Sequence, residues 1–114
     1  MSVRLNYREV GGVTIIDCAG RITLHGGSGS LRDALRELVR RGKRKVLLNL
    51  AETSYRDSSG IGELVGGFTA LSNCGAQLKL LAIGKRVKDL LQITKLYTVF
   101  DVYEDEAAAI RSFA

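Results

Sequence analysis

The 114-residue sequence contains no proline, no tryptophan and only one histidine, His25. Without proline, slow prolyl isomerisation is excluded as a folding step. Its two cysteines, Cys18 and Cys74, are far apart and lack metal-ligand spacing, so we expect reduced thiols, a cytoplasmic protein and no bound metal. No apolar run approaches the roughly 18 residues that a membrane-spanning helix needs, so direct membrane insertion is not expected.

Basic residues outnumber acidic ones, seventeen to twelve, which gives a net charge of +5. Some of them recur every four residues on a predicted helix, at Arg32, Arg36 and Arg40, and continue in "RRGKRK". Asp33 and Glu37 interleave with them, which favours a solvated, ion-paired helix face over a nucleic-acid site. Aromatic residues make up only 6% and do not alternate with the basic run, so stacking on bases is also disfavoured.

Strand and helix patterns alternate along the chain. "SVRLNYREV" and "VTIIDCAG" flank Gly11-Gly12 and predict a β-hairpin. The segment "LRDALRELVRRG" repeats its apolar residues at helical spacing. Ser30 and Asp33 together are typical of a capping box at the start of this helix. Gly42 is typical of the residue that follows the end of a helix.

The rest of the chain continues this alternation. "KVLLNLA" lacks polar alternation and predicts a central strand buried on both faces. Apolar residues at helical spacing from Ile61 to Leu71 follow, and that helix is expected to close at Asn73 to Gly75. "AQLKLLAIG" and "VFDVY" predict strands, and "KRVKDLLQITKL" and "EDEAAAIRSFA" predict helices. We therefore predict a single α/β domain over residues 1–114, with a mixed central sheet, an N-terminal β-hairpin and flanking helices.

The most unusual stretch is "SYRDSSGIGEL", residues 54–64, between the buried strand and the next helix. We expect the strand to end near Ala51 and the helix to begin between Asp57 and Ser59. Aspartate and serine are favoured helix N-caps, so capping alone explains much of the motif. Yet one cap residue suffices. The additional hydroxyl group lies beside the small Gly60 in the sequence, which favours a side chain that a partner protein contacts.

These serines are not predicted to be catalytic. A serine nucleophile needs an adjacent base, and His25 lies on a distant loop without a nucleophile-elbow motif. A serine that cannot attack can still be phosphorylated. At a helix N-terminus, the unpaired N–H groups and the helix dipole favour a phosphate.

The order of elements and the "DSSGIG" stretch at 57–62 resemble the STAS domain of bacterial anti-sigma-factor antagonists. The resemblance implies that Ser58, directly after the aspartate, is the phosphorylation site. It also implies that the dephosphorylated form sequesters an anti-sigma factor that is a serine protein kinase, and that a PP2C-type phosphatase removes the phosphate. The ATP belongs to the kinase, so no cofactor and no enzymatic activity are expected in this chain. The partner-binding surface is predicted to comprise Thr23, Asp57, Ser58, Ser59, Gly60 and Ile61.

Two other interpretations remain. Family members commonly carry Gly-Glu-Leu-Asp where this chain has "GRIT", so Arg21 and Thr23 replace two acids. This departure favours a STAS scaffold without phosphorylation, in a stressosome-like assembly or as an accessory subunit of a lipid transporter. A small-ligand or nucleotide-binding domain using "GGSGS" is less favoured, because that loop lacks the Gly-Lys-[Ser/Thr] ending of a P-loop.

Overall fold

The structure, a computed structural model, describes residues 4–22, 28–55, 69, 71–93, 95 and 100–113. The strands are β1 (Arg4–Val10), β2 (Val13–Ile22), β3 (Lys45–Tyr55), β4 (Gln77–Leu81) and β5 (Asp101–Tyr103). The helices with defined bounds are α1 (Ser28–Arg40), α2 (Gly84–Ile93) and α3 (Glu106–Ser112). Residues 69 and 71–73 are also helical.

The strands form one sheet in the order β1-β2-β3-β4-β5. β1 and β2 are antiparallel, and every other neighbouring pair is parallel. This arrangement confirms the predicted mixed α/β sheet with an N-terminal hairpin. The hairpin turns at Gly11 and Gly12, whose φ angles of +57° and +81° are those of the two-residue type I′ turn that matches strand twist.

The sheet has an apolar core on each face. The core against α1 and α2, which we call the α1 face, includes Val46, Leu48 and Leu50 of β3. The core against α3, the α3 face, includes Leu47 of the same strand together with Ala109 and Phe113. Because successive strand residues point to opposite faces, β3 is buried on both sides, as the apolar run "KVLLNLA" predicts.

Two glycines end helical segments as predicted. At the end of α1, the Gly42 amide donates to the Val39 carbonyl and the Lys43 amide to the Leu38 carbonyl, both at 3.0 Å. Gly42 has φ +81°, so this is a Schellman motif, in which a left-handed residue lets the chain satisfy the last carbonyls. Gly75 ends residues 71–73 in the same way, with φ +75°.

Two predicted boundaries are wrong. Helix α1 already includes Ser28, so Ser30 is its third residue and cannot be its N-cap. The first turn of a helix tolerates serine and glycine, because its N–H groups have no intrahelical partners there. Strand β3 runs on to Tyr55 instead of ending near Ala51, because its polar second half pairs with β2.

Helix α3 is capped at its N-terminus and hydrogen-bonded to the sheet at its C-terminus. Asp105 caps it by accepting a hydrogen bond from the Ala108 amide at 2.9 Å. At the other end, the buried Lys79 of β4 donates to the carbonyl and hydroxyl oxygens of Ser112, at 3.1 and 2.9 Å. The Lys79 ammonium also lies 4.8 Å from the centroid of the Phe113 ring. A cation at a helix C-terminus complements the helix dipole. The contacts of Lys79 therefore hold α3 against the α3 face of the sheet.

Candidate functional site

Strands β2 and β3 project beyond their neighbours at the carboxyl edge of the parallel strands. The last pair between β3 and β4 is Asn49 with Leu81, yet β3 continues six residues further, to Tyr55. In the described part of the chain, β1 accompanies β2 only as far as Ala19. Among the described residues, the pairs beyond this point join β2 and β3 alone: Gly20 with Thr53, Arg21 with Ser54 and Ile22 with Tyr55. At about 3.3 Å per residue, the six residues of β3 beyond its last pair with β4 span at most roughly 20 Å.

The predicted site residues follow directly from this two-stranded extension. Thr23 comes after Ile22, and the 57–61 segment begins two residues after Tyr55. Thr23, Asp57, Ser58, Ser59, Gly60 and Ile61 all lie outside the residues that the structure describes. The structure therefore fixes the two strands that lead into the predicted site, and the positions of the site residues stay predictions.

Thr53 carries the last described side chain before the motif, and its hydroxyl is already engaged. Its Oγ1 donates to the Leu50 carbonyl at 2.7 Å in a half-buried position. Phosphorylation of Thr53 would break this bond. The loss of this bond would cost about 1 kcal/mol of stability.

An ion-pair network lies on the α3 face, behind the extension. Arg8 Nε and Nη2 donate to the two carboxylate oxygens of Asp17, at 2.6 and 2.9 Å. The same guanidinium donates to both oxygens of Glu106 in α3, at 2.8 and 3.3 Å. Asn49 Nδ2 adds a hydrogen bond to Asp17 Oδ1 at 2.8 Å. The network thus joins β1, β2, β3 and α3.

The network holds Arg8 and Asp17 in their charged forms. The pKa of Asp17 is lowered, chiefly because Arg8 donates to its carboxylate and also because Asn49 does, against an opposing effect of burial. The pKa of Arg8 is raised by its hydrogen bonds to Asp17 and Glu106. A carboxylate with a depressed pKa and occupied oxygens is a weak general base. The network therefore supports the fold near the extension, and its Asp17 is a poor candidate for a general base.

Sequence reasoning missed this network, although a signal for it exists. Asp17 and Asn49 are polar residues inside the apolar runs "VTIIDCAG" and "KVLLNLA". They lie opposite each other in the β2–β3 register. A polar residue in a buried strand needs a partner, so two such residues in neighbouring strands indicate a shared network.

The described residues contain two free cysteines, of which Cys74 is exposed, and no metal site. Cys18 is buried, and burial raises the pKa of its thiol to about 12. Groups of three or more histidine, cysteine or acidic residues that could hold a metal ion are absent from the described ranges. Within those same ranges, no helix has the length and apolar character needed to cross a membrane.

A known family matches this chain. The sequence model of the STAS domain matches residues 4–109. The anti-sigma F factor antagonist of Paenibacillus polymyxa is 23% identical over 111 residues, which cover 96% of this chain and 94% of the relative. The match thus extends over nearly all of both chains.

Solved structures show the same fold. The crystal structure of a putative anti-sigma factor antagonist from Thermotoga maritima superposes with a TM-score of 0.83 at 21% identity, over 94% of this chain and 92% of that one. The Bacillus cell-fate determinant SpoIIAA in its phosphorylated form gives a TM-score of 0.74 at 19% identity, over 97% and 100% of the two chains. At these identities the likeness establishes the fold alone.

Proposed function

The chain belongs to the STAS domain family, and from this premise we propose that it is an anti-sigma-factor antagonist switched by phosphorylation of Ser58. In its dephosphorylated form it binds an anti-sigma factor that is also a serine kinase. Phosphorylation ends this binding, and a PP2C-type phosphatase restores it. The chain itself is a non-enzymatic, cytoplasmic binding module.

The two-stranded extension is the observation that carries this proposal. Ile22 and Tyr55 end β2 and β3 as a directly opposed pair, beyond the ends of β1 and β4 in the described residues. Thr23 and the 57–61 segment follow these two residues, so we expect them to lie side by side at the tip. A tip that projects from the sheet is accessible to a partner protein and to a kinase.

Each residue of the proposed surface has a distinct role. Asp57 caps the following helix and orients the loop, Ser58 accepts the phosphate, and Ser59 supports the backbone. Gly60 and Ile61 lie against the partner, with Thr23 beside them.

A single phosphate is enough to end such an interaction. It adds a charge of about −1.5 to −2 at neutral pH to a surface that was neutral at that position. A standard interface buries about 1,600 Å², and its desolvated centre dominates the affinity. An unpaired phosphate buried there costs several kcal/mol, and about 1.4 kcal/mol corresponds to a tenfold loss of affinity.

Phosphopeptide mapping tests the proposal. The protein is incubated with ATP and the anti-sigma factor kinase from the same cell, and the modified peptides are identified by mass spectrometry. We expect one phosphate, on Ser58, in the wild type and in the matched control Ser59→Ala, and none in Ser58→Ala. A label confined to Ser59 or Thr53 would place the switch elsewhere.

The substitution of two acids by Arg21 and Thr23 favours a second function, that of an unphosphorylated STAS scaffold or accessory subunit. Under that alternative, no kinase from the same cell labels the protein. Co-purification from native cells would then recover transporter subunits or a stressosome-like assembly. Recovery of a kinase-like anti-sigma factor would contradict the scaffold and support the switch.

A further inference from the structure

Strand β3 contains one residue more than β2 at the point where the two strands enter the two-stranded extension. Asp17 pairs with Asn49, but Ala19, two residues later in β2, pairs with Glu52, three residues later in β3. Residues 50–51 of β3 therefore stand opposite a single residue of β2. Two residues opposite one form a β-bulge, which bends a strand, increases its twist and leaves the extra residue outside the regular ladder.

The bulge reverses the alternation of side chains along β3. Asn49 lies on the α3 face, where its side chain contacts Asp17. In a regular strand, Glu52 would lie on the opposite face, because it comes three residues after Asn49. Glu52 instead pairs with Ala19, which comes two residues after Asp17 and so lies on the α3 face. The bulge therefore exchanges the two faces of β3 at the start of the extension.

Two side chains of β3 pair with the backbone groups of the bulge. Asn49 Oδ1 accepts a hydrogen bond from the Ala51 amide at 3.2 Å. Thr53 Oγ1 donates to the Leu50 carbonyl at 2.7 Å. Local bonds of this kind offer the backbone an alternative to the ladder of a sheet. The side chains on either side of the bulge therefore stabilise it.

Asn49 also connects the bulge to the ion-pair network. Its Nδ2 donates to Asp17 Oδ1 at 2.8 Å, and Asp17 is ion-paired with Arg8. An ionised carboxylate only accepts hydrogen bonds, so the Asn49 amide must direct its NH₂ group toward Asp17 and its oxygen toward Ala51. Arg8 in turn binds Glu106 of α3. Asn49 thus holds the bulge in a fixed position relative to β1, β2 and α3.

We propose that Asn49 is a positioning residue for the Ser58 switch. By holding the bulge, it sets the direction and twist with which the two-stranded extension presents the 57–61 segment. Bulges are frequent beside functional sites, where they redirect side chains. A kinase that docks on the extension needs one orientation of it, and a misplacement of about 1 Å can slow a reaction about 100-fold. This inference rests on the proposed function and adds a residue outside the motif.

A residue that served stability alone would behave differently. Its replacement would lower the free energy of unfolding and leave binding by the molecules that remain folded unchanged. Replacement of a positioning residue changes the geometry of the folded molecules and therefore their binding. We expect the effects of replacing Asn49 to persist under conditions in which every variant is folded.

Three variants separate the two roles. Asn49→Leu keeps the approximate size of the side chain and removes both hydrogen bonds of the amide, and Asn49→Ala takes its place if that protein does not fold. Asp17→Asn combined with Asn49→Asp, the exchange variant, lets an amide again donate to a carboxylate, which can still accept from the Ala51 amide. Val46→Ala creates a cavity at the other end of β3 and leaves the bulge untouched.

Residual dipolar couplings measured by NMR report the orientation of the extension relative to the sheet without any partner. We expect the couplings of the Gly20 and Thr53 amides, which belong to one pair of the extension, to change in Asn49→Leu. The same couplings should stay close to their wild-type values in the exchange variant and in Val46→Ala. Unchanged couplings in Asn49→Leu would overturn the proposal.

Calorimetry with the anti-sigma factor kinase tests the functional consequence. The dephosphorylated Asn49→Leu protein should bind about tenfold more weakly than the wild type and be phosphorylated on Ser58 about tenfold more slowly. The exchange variant should regain most of the affinity, and Val46→Ala should bind like the wild type.

The outcomes distinguish this inference from the proposed function. Wild-type affinity of Asn49→Leu, or equal losses in Asn49→Leu and Val46→Ala, would assign Asn49 to stability alone. A wild type that neither binds the kinase nor accepts phosphate would contradict the proposed switch instead. The dipolar couplings would then decide by themselves whether Asn49 orients the extension.

Discussion

Replacement of Asp17 by asparagine removes the central charge of the Arg8–Asp17–Glu106 network and keeps the shape of the side chain. In the wild type, the Asp17 carboxylate accepts two hydrogen bonds from Arg8 and one from Asn49. In the variant, the amide oxygen can still accept some of these hydrogen bonds. The amide NH₂ group is itself a donor, so it cannot accept from Arg8 or Asn49. Arg8 keeps Glu106, so the guanidinium is not left unpaired.

The size of the effect follows from the partial burial of the pair. Hydrogen bonds to charged groups contribute about 1.5–3 kcal/mol when buried, and exposed ion pairs about 0–1 kcal/mol. The Arg8 and Asp17 side chains are 39% and 28% exposed. We therefore expect Asp17→Asn to lower the free energy of unfolding by about 2 kcal/mol at neutral pH.

The cost of the substitution depends on pH, with a defined sign. The folded state lowers the pKa of Asp17 below its unfolded value of about 3.9, so the folded state favours the ionised form. The stabilisation by this carboxylate is complete above that unfolded value and is lost as the pH falls through the lower, folded value. The difference between wild type and Asp17→Asn should be constant near neutrality and shrink below about pH 3.9.

Urea denaturation of wild type and variant across this pH range measures the difference. The control is Asp89→Asn, which disrupts the exposed Lys85–Asp89 pair and should cost less than about 0.5 kcal/mol. The reasoning is refuted if Asp17→Asn costs no more than the control. It is also refuted if both proteins stay folded below about pH 3.9 and the difference between them there is the same as at pH 7.

Three further substitutions or reagents test other parts of the structure. Gly42→Ala should lower the free energy of unfolding by about 1 kcal/mol, because an L residue is strained at φ +81°, and thermal denaturation measures this. A thiol reagent at pH 8 should modify the exposed Cys74 in the native protein and Cys18 only after denaturation, as counted by absorbance. Leu48→Ala should cost about 2–5 kcal/mol in urea denaturation, because Leu48 is 0% exposed.

Local rules predicted much of the fold. The glycine pair in the hairpin, the unbroken apolar run of β3 and the glycines after helical segments each impose one backbone geometry with little help from the rest of the molecule. The buried Val87 and Leu91 of α2 likewise follow from helical spacing.

The parts that were missed depend on contacts between distant segments. Residues 52–55 of β3 are polar and resemble a loop, and only their pairing with β2 makes them a strand. Glu106 meets Arg8 across the folded molecule, although they are 98 residues apart in sequence. In the sequence, Lys79 occupies a position typical of a solvent-exposed residue in an alternating strand. In the structure it is buried beneath α3. In each case tertiary contact overrides the local pattern.

The candidate site was predicted from its motif more than from its geometry. Residues 57–62 identify the segment through the resemblance to the STAS family, and the structure adds the two-stranded extension that leads to it. Sequence alone placed the end of β3 four residues too early, so the projection of this edge could not be foreseen.

Isothermal titration calorimetry of Ser58 variants against the anti-sigma factor kinase tests the central claim most directly. Ser58→Ala should fold and bind like the dephosphorylated wild type, because Asp57 can still cap the helix. Ser58→Asp, whose charge a helix N-terminus tolerates, should fold and bind about tenfold or more weakly, and the phosphoprotein more weakly still. Equal affinities of the Ser58→Ala protein and the phosphoprotein, both shown to be folded, would contradict the switch and leave Ser58 as a helix cap alone.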